Sequence, residues 1–517
     1  MSSTSIKWWL NKWIVRLIFL LPFAFNKHYA EAQTFQQKRY EHFLADFDNG
    51  FDVVPANENG VLLYRRFFNF SKDTLELIYL DTAFHEKWHG LLPVEKDYII
   101  TRHVFFNDSF YFIQRYRDYT KNDLQITTLN CDQQIFKRYI IRNFIPFTPT
   151  EFYITHKAAI IGGYFRDTPV VVYFDFYKQQ AKVVPGLFNE PGELMQIKPY
   201  TDGSFDVLVS ANNLMNKKSI WVRNYSEDGN IVRSTMLAPQ GVNNLIFGTS
   251  IRTPDNRLIV AGAYSNRSKE IARGIFVATI DPSGDQQMTY YNYGDLENFF
   301  KHLRVNQEKR IKQRIERRKM KGRKLRFNYR MIVHELIPFR GQYILLGESY
   351  YPKYKETGTY GSGSFYLGGY SNLYRTRNGK IFDGFYYTHA IVLGFTAQGA
   401  LRWDNNFKLN DIRTFNLDHF VSFDTKKDKI SLQYLSQNEI KSQVIKDYEV
   451  LEGKTSESLK LRGKEDYVRK KDMETNKMAY WFKGTFIAYG TQWISHTKDD
   501  TRRKKVFFIN RITRPGN

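Results

Sequence analysis

A short apolar strand recurs eight times in this chain, a polar hairpin turn recurs behind it, and the composition is rich in aromatic residues. Together these predict an all-β fold: a β-propeller of eight blades, or seven if the first or last unit is irregular. The recurring strand reads GVLLY at 60–64, SFYFI at 109–113, KAAIIG at 157–162 and SFDVLVS at 204–210. It returns as RLIVAG at 257–262, QYILLG at 342–347, KISLQ at 429–433 and TFIAYG at 485–490. The first intervals are about 49 residues, and two later ones are longer by roughly 35, each holding an insertion. A fixed period in this range, built of strands, marks radial blades. The strands of a β-sandwich would not recur as four-strand units. Aromatics make up 16% of the chain, with 42 Phe and 35 Tyr, residue types that favour strands.

The second half of each unit repeats as strand, polar turn, strand. Examples are 222–232 (VRNYSEDGNIV), 278–285 (ATIDPSGD) and 394–403 (GFTAQGALRW). Gly and Asp supply the positive φ and the side-chain hydrogen bonds of tight hairpins. Four strands of about five to seven residues fit each interval. After 485–490 only one strand remains, 505–512, so the last blade lacks its outer strand. The segment RYEHFLADF at 39–47 would supply it and close the ring, removing a sheet edge. These turns resemble the blade turns of quinoprotein-like propellers, where an Asp-x-x-x-Gly turn leads into a strand bearing Trp. Trp403 fits that pattern, and Asp281 to Gly284 fits without its Trp. The resemblance implies an eight-bladed fold, not a chemistry.

The first residues read as an export address. Lys7, Lys12 and Arg16 precede an apolar run at 17–25, and small residues at Ala30 and Ala32 suit a signal peptidase. Residues 1–32 are thus expected to be a signal peptide cleaved before Gln33, leaving 33–517 as one propeller domain. The apolar run is too short to anchor the chain across a bilayer. Hydrophobic residues at 42% and charged residues at 25% exclude a mainly disordered or many-span membrane chain. A single cysteine, Cys131, excludes an intrachain disulfide and a cysteine-built zinc site. The formal charge is +23, so an acidic partner or surface is expected. Export argues against nucleic acid as the counterpart and favours an acidic protein, anionic lipid or lipopolysaccharide.

The insertion at 295–326 is expected to be a basic helix. Leu296, Phe299, Phe300 and Leu303 stand at i, i+3, i+4, i+7, one helical face, with Asp295 and Glu297 at its start. From Lys301 to Arg330 there are fourteen Lys or Arg and two acids, a net +12. Ile311 and Ile315 form a thin apolar seam, and Gly322 ends the helix. Charge runs are often merely solvated. The concentration here favours an arm that projects to grip an anionic partner through Arg310, Lys312, Arg314, Arg317, Arg318, Lys319, Lys321, Arg323 and Lys324. The insertion at 351–383 is Tyr- and Gly-rich, and Tyr360, Phe365, Tyr366, Tyr370 and Tyr374 are its candidate contact residues.

His85, Glu86 and His89 match H-E-x-x-H, in which two histidines one helical turn apart bind zinc. Here the motif follows a strand and is stopped by Gly90 and Pro93, so no helix can carry it. A hairpin turn with Trp88 packed at a blade edge is expected instead. Gly453-Lys454-Thr455 lacks the upstream glycine of a phosphate loop. His103, His156, His334, His389 and His419 are scattered near strand starts and read as structural. No cofactor or metal and no catalytic residue is assigned.

The best reading is a non-enzymatic exported scaffold. The cleavage site and the Tyr-, Phe-, Asn- and Lys-rich mature chain look like exported proteins of the Bacteroidota. That resemblance implies the periplasm, at the outer membrane, and an accessory subunit of a secretion or assembly machine such as the plug-type subunit of the type 9 translocon. The alternatives are a quinoprotein-like or hydrolytic propeller enzyme and a polysaccharide-binding propeller. N-terminal sequencing of the exported protein is expected to begin at Gln33; a retained Met1 would contradict the cleavage.

Overall fold

The computed structural model describes residues 35–513, apart from 70–71, 96, 118–122, 131, 133–134, 143–145, 147, 188–190, 267–270, 357–379, 411, 474–475 and 497–502. The export address, Cys131, Tyr360, Phe365, Tyr366, Tyr370 and Tyr374 lie outside the described residues.

Eight antiparallel sheets follow one another along the chain and form an eight-bladed β-propeller. Blade 1 pairs Asp52–Pro55, Val61–Asn69, Lys72–Leu80 and Glu86–Pro93 in that order. Blades 2 to 5 and blade 7 repeat the pattern. Every recurring apolar strand falls on the second strand of its blade, from Val61–Asn69 in blade 1 to Thr485–Ser495 in blade 8. The reason is burial on both sides. Val61 and Leu63 face the core shared with blade 8, while Leu62 and Tyr64 face the core shared with blade 2. Ile259 and Ala261 pack toward blade 6, and Leu258 and Val260 toward blade 4. Eight such hydrophobic clusters occupy the eight junctions between blades. Each blade therefore stabilises its neighbours, and burial of apolar area is the main favourable term.

The ring closes through the N-terminal strand. Phe35–Leu44 pairs with Lys504–Thr513, with Phe35 opposite Thr513 and Leu44 opposite Lys505. It takes the fourth place in blade 8, as the sequence expects, but begins and ends a few residues before 39–47. The chain turns at Ala45, whose carbonyl accepts from Asp48 N at 3.0 Å, so Ala45 to Phe47 leave the ladder. Arg39 locks the seam. Its guanidinium donates to Asn510 Oδ1 and Gln492 Oε1, each at 2.9 Å, on two successive strands, and lies 4.5 Å above the Phe508 ring.

Blade 6 departs from the pattern. Its inner edge is split into Arg330–Val333 and Ile337–Phe339, and its middle strands, Gln342–Glu356 and Lys380–Phe395, run to 15 and 16 residues. Residues 351–356 and 380–383, expected within a loop, continue the ladder to Glu356 opposite Lys380. Tyr351 stacks on Tyr386 at 5.8 Å, and Asp383 pairs with Lys355 and Arg413, so cross-strand contacts hold the extension. By this strand order, the turns from second to third strand and the links from one blade to the next share one end of the disc. The arm and the described ends of the second insertion stand at that end.

Leu44 and Phe43 are neighbours on the closing strand, with exposures of 0% and 65%. Leu44→Ala is expected to cost about 2–4 kcal/mol in urea unfolding and Phe43→Ala within about 0.5 kcal/mol. Equal effects would contradict closure through this strand.

Candidate functional site

The arm between blades 5 and 6 begins where the outer strand Gln286–Asn292 ends. Asn292 Oδ1 accepts from Gly294 N at 2.9 Å and Asp295 Oδ2 accepts from Asn292 N at 3.2 Å, a capping box on one short 3-10 turn. The helix expected from Asp295 does not start here. Leu296, Phe299 and Phe300 are buried in the core of blades 5 and 6, reached by turns rather than by one helical face. Asp404 on the outer strand of blade 6 explains this. Its carboxylate accepts from Glu297 N at 3.0 Å and Asn298 N at 2.7 Å, and its carbonyl from Asn298 Nδ2 at 2.6 Å. Those amides are spent on blade 6 and the chain is held in turns. Asp295 and Glu297 are therefore not at a helix start; the first-turn acid is Glu308.

The helix α1 is Val305–Lys319. Ile315 is 6% exposed and Ile311 half-buried, and both pack on the same core. Gly322 closes α1 as expected. At φ +62° it donates to Lys319 O at 2.9 Å, while Arg323 N donates to Arg318 O at 2.9 Å. This pair of bonds is the Schellman arrangement, which favours glycine at that position. The chain then returns to blade 5, where Ala272 N donates to Tyr329 O at 2.8 Å. The arm thus does not project from the disc: it is fastened at both ends and along its seam, with most of its cations exposed.

Of the nine candidate cations, three meet a carboxylate. Lys312 pairs with Glu308 at 2.7 Å; Lys319 and Lys324 share Asp295 at 3.9 and 3.5 Å. Arg317 donates to Gln313 O at 3.3 Å on its own helix. Arg310, Arg314, Arg318, Lys321 and Arg323 are exposed and meet no carboxylate of the described residues. Helical spacing puts Arg310 and Arg317 on the face turned away from the Ile311 and Ile315 seam, with Arg314 on its flank.

Two histidine pairs that sequence spacing hides come together on blade 6. His302, from the arm, stacks on His389 with ring centroids 3.7 Å apart, and its Nδ1 lies 3.0 Å from Phe299 O. His334 stacks on His419 at 3.9 Å and reaches the fully buried Glu348 at 2.7 Å. Glu348 also accepts from the backbone N–H groups of Phe420 and Val421 at 3.1 and 2.9 Å. Burial pulls His302 and His419 down to about 4 and holds His389 well below its ordinary value. A cavity of about 810 Å³ opens at the same end of the disc. Asp52, His103, Asp418, His419 and Lys477 line it beside the rings of Phe51, Phe415, Phe420 and Phe507. His103 is bound to the Tyr64 hydroxyl at 2.8 Å and is drawn down to about 4 by burial and then by Arg102. Asp418 and Lys477 lie 3.7 Å apart. Burial raises Asp52 above the usual carboxylate range.

His85, Glu86 and His89 occupy a turn and the outer strand of blade 1. His85 Nδ1 lies 3.1 Å from Asp81 Oδ2, Glu86 accepts from the Tyr40 hydroxyl at 2.6 Å, and His89 Nε2 lies 3.0 Å from Glu76 Oε1. The two imidazoles engage different acids on extended backbone. Among the described residues no three His, Cys, Asp or Glu side chains gather as a metal site. Trp88 packs on Tyr79 with ring centroids 6.1 Å apart. Gly453, Lys454 and Thr455 lie on the outer strand Glu449–Ser458 of blade 7.

Neither a protein-family model nor a curated protein matches the chain. Among solved structures it is similar to the polysaccharide lyase Uly1, at 10% identity over 80% of this chain and 89% of that one, with a TM-score of 0.37. It is similar to the acylaminoacyl peptidase of Pyrococcus horikoshii, at 9% identity and a TM-score of 0.36, over 78% of this chain and 52% of that one. It is also similar to the β-propeller domain of the Trilobed protease from Pyrococcus furiosus, at 8% identity over 82% and 96%, with a TM-score of 0.34. At such similarity neither substrate nor reaction carries over to this chain.

The buried His302 gives the arm a pH dependence. Its folded pKa of about 4 lies below the ordinary 6.5, so the unfolded chain binds a proton that the folded chain refuses in that window. Stability is therefore expected to fall as pH drops from 6.5 toward about 4, and His302→Phe to lessen that fall in thermal melts. An unchanged pH slope in the variant would contradict the assignment.

Proposed function

We propose that this chain is a non-enzymatic exported scaffold that docks an acidic protein surface on the outward face of α1. One observation carries the reading: Arg310 and Arg314 stand exposed on a helix fastened to the disc, with no carboxylate of the described residues to neutralise them. A rigid base lowers the ordering cost of docking, and unscreened like charges steer an acidic partner and set its register. The thin Ile311 and Ile315 seam is already used by the propeller, so contact through this face is electrostatic. The periplasmic setting at the outer membrane, including a machine such as the type 9 translocon, rests on the N-terminal address and the mature composition. A second reading, a ligand-binding propeller, is favoured by the cavity of about 810 Å³ with its four phenylalanine rings, which suit the apolar faces of a sugar chain.

The test is an affinity pull-down from solubilised membranes with the wild-type chain and with Arg310, Arg314, Arg317 and Lys321 all changed to Glu. The wild type is expected to retain one integral outer-membrane protein, at low salt more than at high. The variant is expected to lose it while its melting temperature stays within a few degrees. Equal retention by the variant would refute docking on this face. Turnover of a sugar or quinone substrate without any protein partner would favour an enzyme instead.

A further inference from the structure

The return leg of the arm leaves a groove of about 840 Å³ against the rim of blade 5. Five cations line it: Arg273 from blade 5, Arg318 from α1, and Arg323, Lys324 and Arg326 from the return leg. Asparagines and tyrosines of blade 5 make up most of the remaining wall, and among the described residues no acid lines it. Arg318, Arg323 and Arg326 meet no carboxylate of the described residues, and Lys324 touches only Asp295, at 3.5 Å. Arg273 is fixed by donating to Phe327 O at 2.8 Å and to Asn328 Oδ1, yet its Nε is buried with no hydrogen-bond partner. Burial, and then the neighbouring Arg326, lower the Arg273 guanidinium from its ordinary value. Like charges gathered in a partly enclosed groove repel, and an unmatched buried donor adds to the cost. An anion in the groove relieves the repulsion.

We propose that this groove binds a ligand carrying clustered phosphate groups, as in a diphosphate or a phosphorylated lipid headgroup. Four of the five cations are arginines, whose planar forks match phosphate oxygens two at a time. The groove is roomier than one phosphate needs, and its cations come from three segments, so a ligand with more than one phosphate meets them best. Asparagine and tyrosine side chains add neutral donors along the wall. The site does not rest on the docking reading, because it lies on the inner side of the arm and the outward arginines serve as its controls.

Isothermal titration with pyrophosphate, and flotation with phosphatidylcholine vesicles with or without phosphatidic acid, test it. Each is run on the full chain, on Arg318→Ala/Arg326→Ala, and on the outward control Arg310→Ala/Arg317→Ala. All four arginines are exposed, so melting temperatures are expected to match. Binding of pyrophosphate that weakens at least about tenfold per groove arginine removed, and less than about threefold in the control, supports the site and a soluble ligand. The same pattern with phosphatidic acid vesicles alone supports the site and a headgroup. Binding of neither probe by the wild type overturns the proposal. Equal weakening in the two variants also overturns it, since unlocalised charge attraction then accounts for the binding.

Discussion

A propeller blade has two apolar faces and can cover neither alone, so the pairing of Phe35–Leu44 with Lys504–Thr513 is the contact on which the rest depends. Without it blade 8 would end at Lys504–Thr513 with an open edge. The junction of blades 8 and 1 draws on both chain ends: Leu44 and Phe51 from the start, Trp481, Ile487, Phe507 and Ile509 from the end. The indole of Trp481 donates to Gly60 O at 2.9 Å, which ties the last blade to the first by a directed bond as well as by burial. Closing a loop of nearly the whole chain has an entropic cost that grows only slowly with length. Burial at that junction and seven others offsets it.

The closed ring fixes where the arm can sit. The junction of blades 5 and 6 is the largest of the eight clusters among the described residues, and the arm contributes Tyr293, Leu296, Phe299, Phe300 and Ile315 to it. The arm is thus a part of the core that carries a charged exterior, rather than a tether. Its two sides differ. The outward face is open and suited to another macromolecule, while the inner side forms a narrow groove with blade 5. The arm, the described ends of the second insertion and the cavity of about 810 Å³ share one end of the disc.

The second strands were legible because burial on both faces leaves an unbroken apolar run, as in Leu258 to Ala263. The closing strand was legible from what the last blade lacked. Its boundaries were not, since Phe35 and Gln36 are held by cross-strand partners far along the chain and not by local pattern. The spacing of Leu296, Phe299, Phe300 and Leu303 misled for a physical reason: a helical period reports that residues share a buried side, and turns pinned to Asp404 achieve the same burial. The ends of the second insertion read as loop because YPKYKE at 351–356 holds a proline and three charges and no apolar run, yet cross-strand aromatic pairs sustain a ladder there. Of the candidate site, the cationic arm was legible as composition. The groove was not, because Arg273 lies some fifty residues before Arg326 in an unremarkable turn. The histidine pairs were hidden likewise, their members being 85 or more residues apart in sequence.

The account turns on the arm being a fixed part of the ring. Hydrogen–deuterium exchange of the free chain measures this directly. Peptides covering 309–319 should exchange slowly, with protection approaching that of the second strands of blades 5 and 6, because opening α1 must expose Ile311 and Ile315. Exchange at the rate of an unstructured peptide, with the blades still protected, would mean that the arm swings free and would contradict the account.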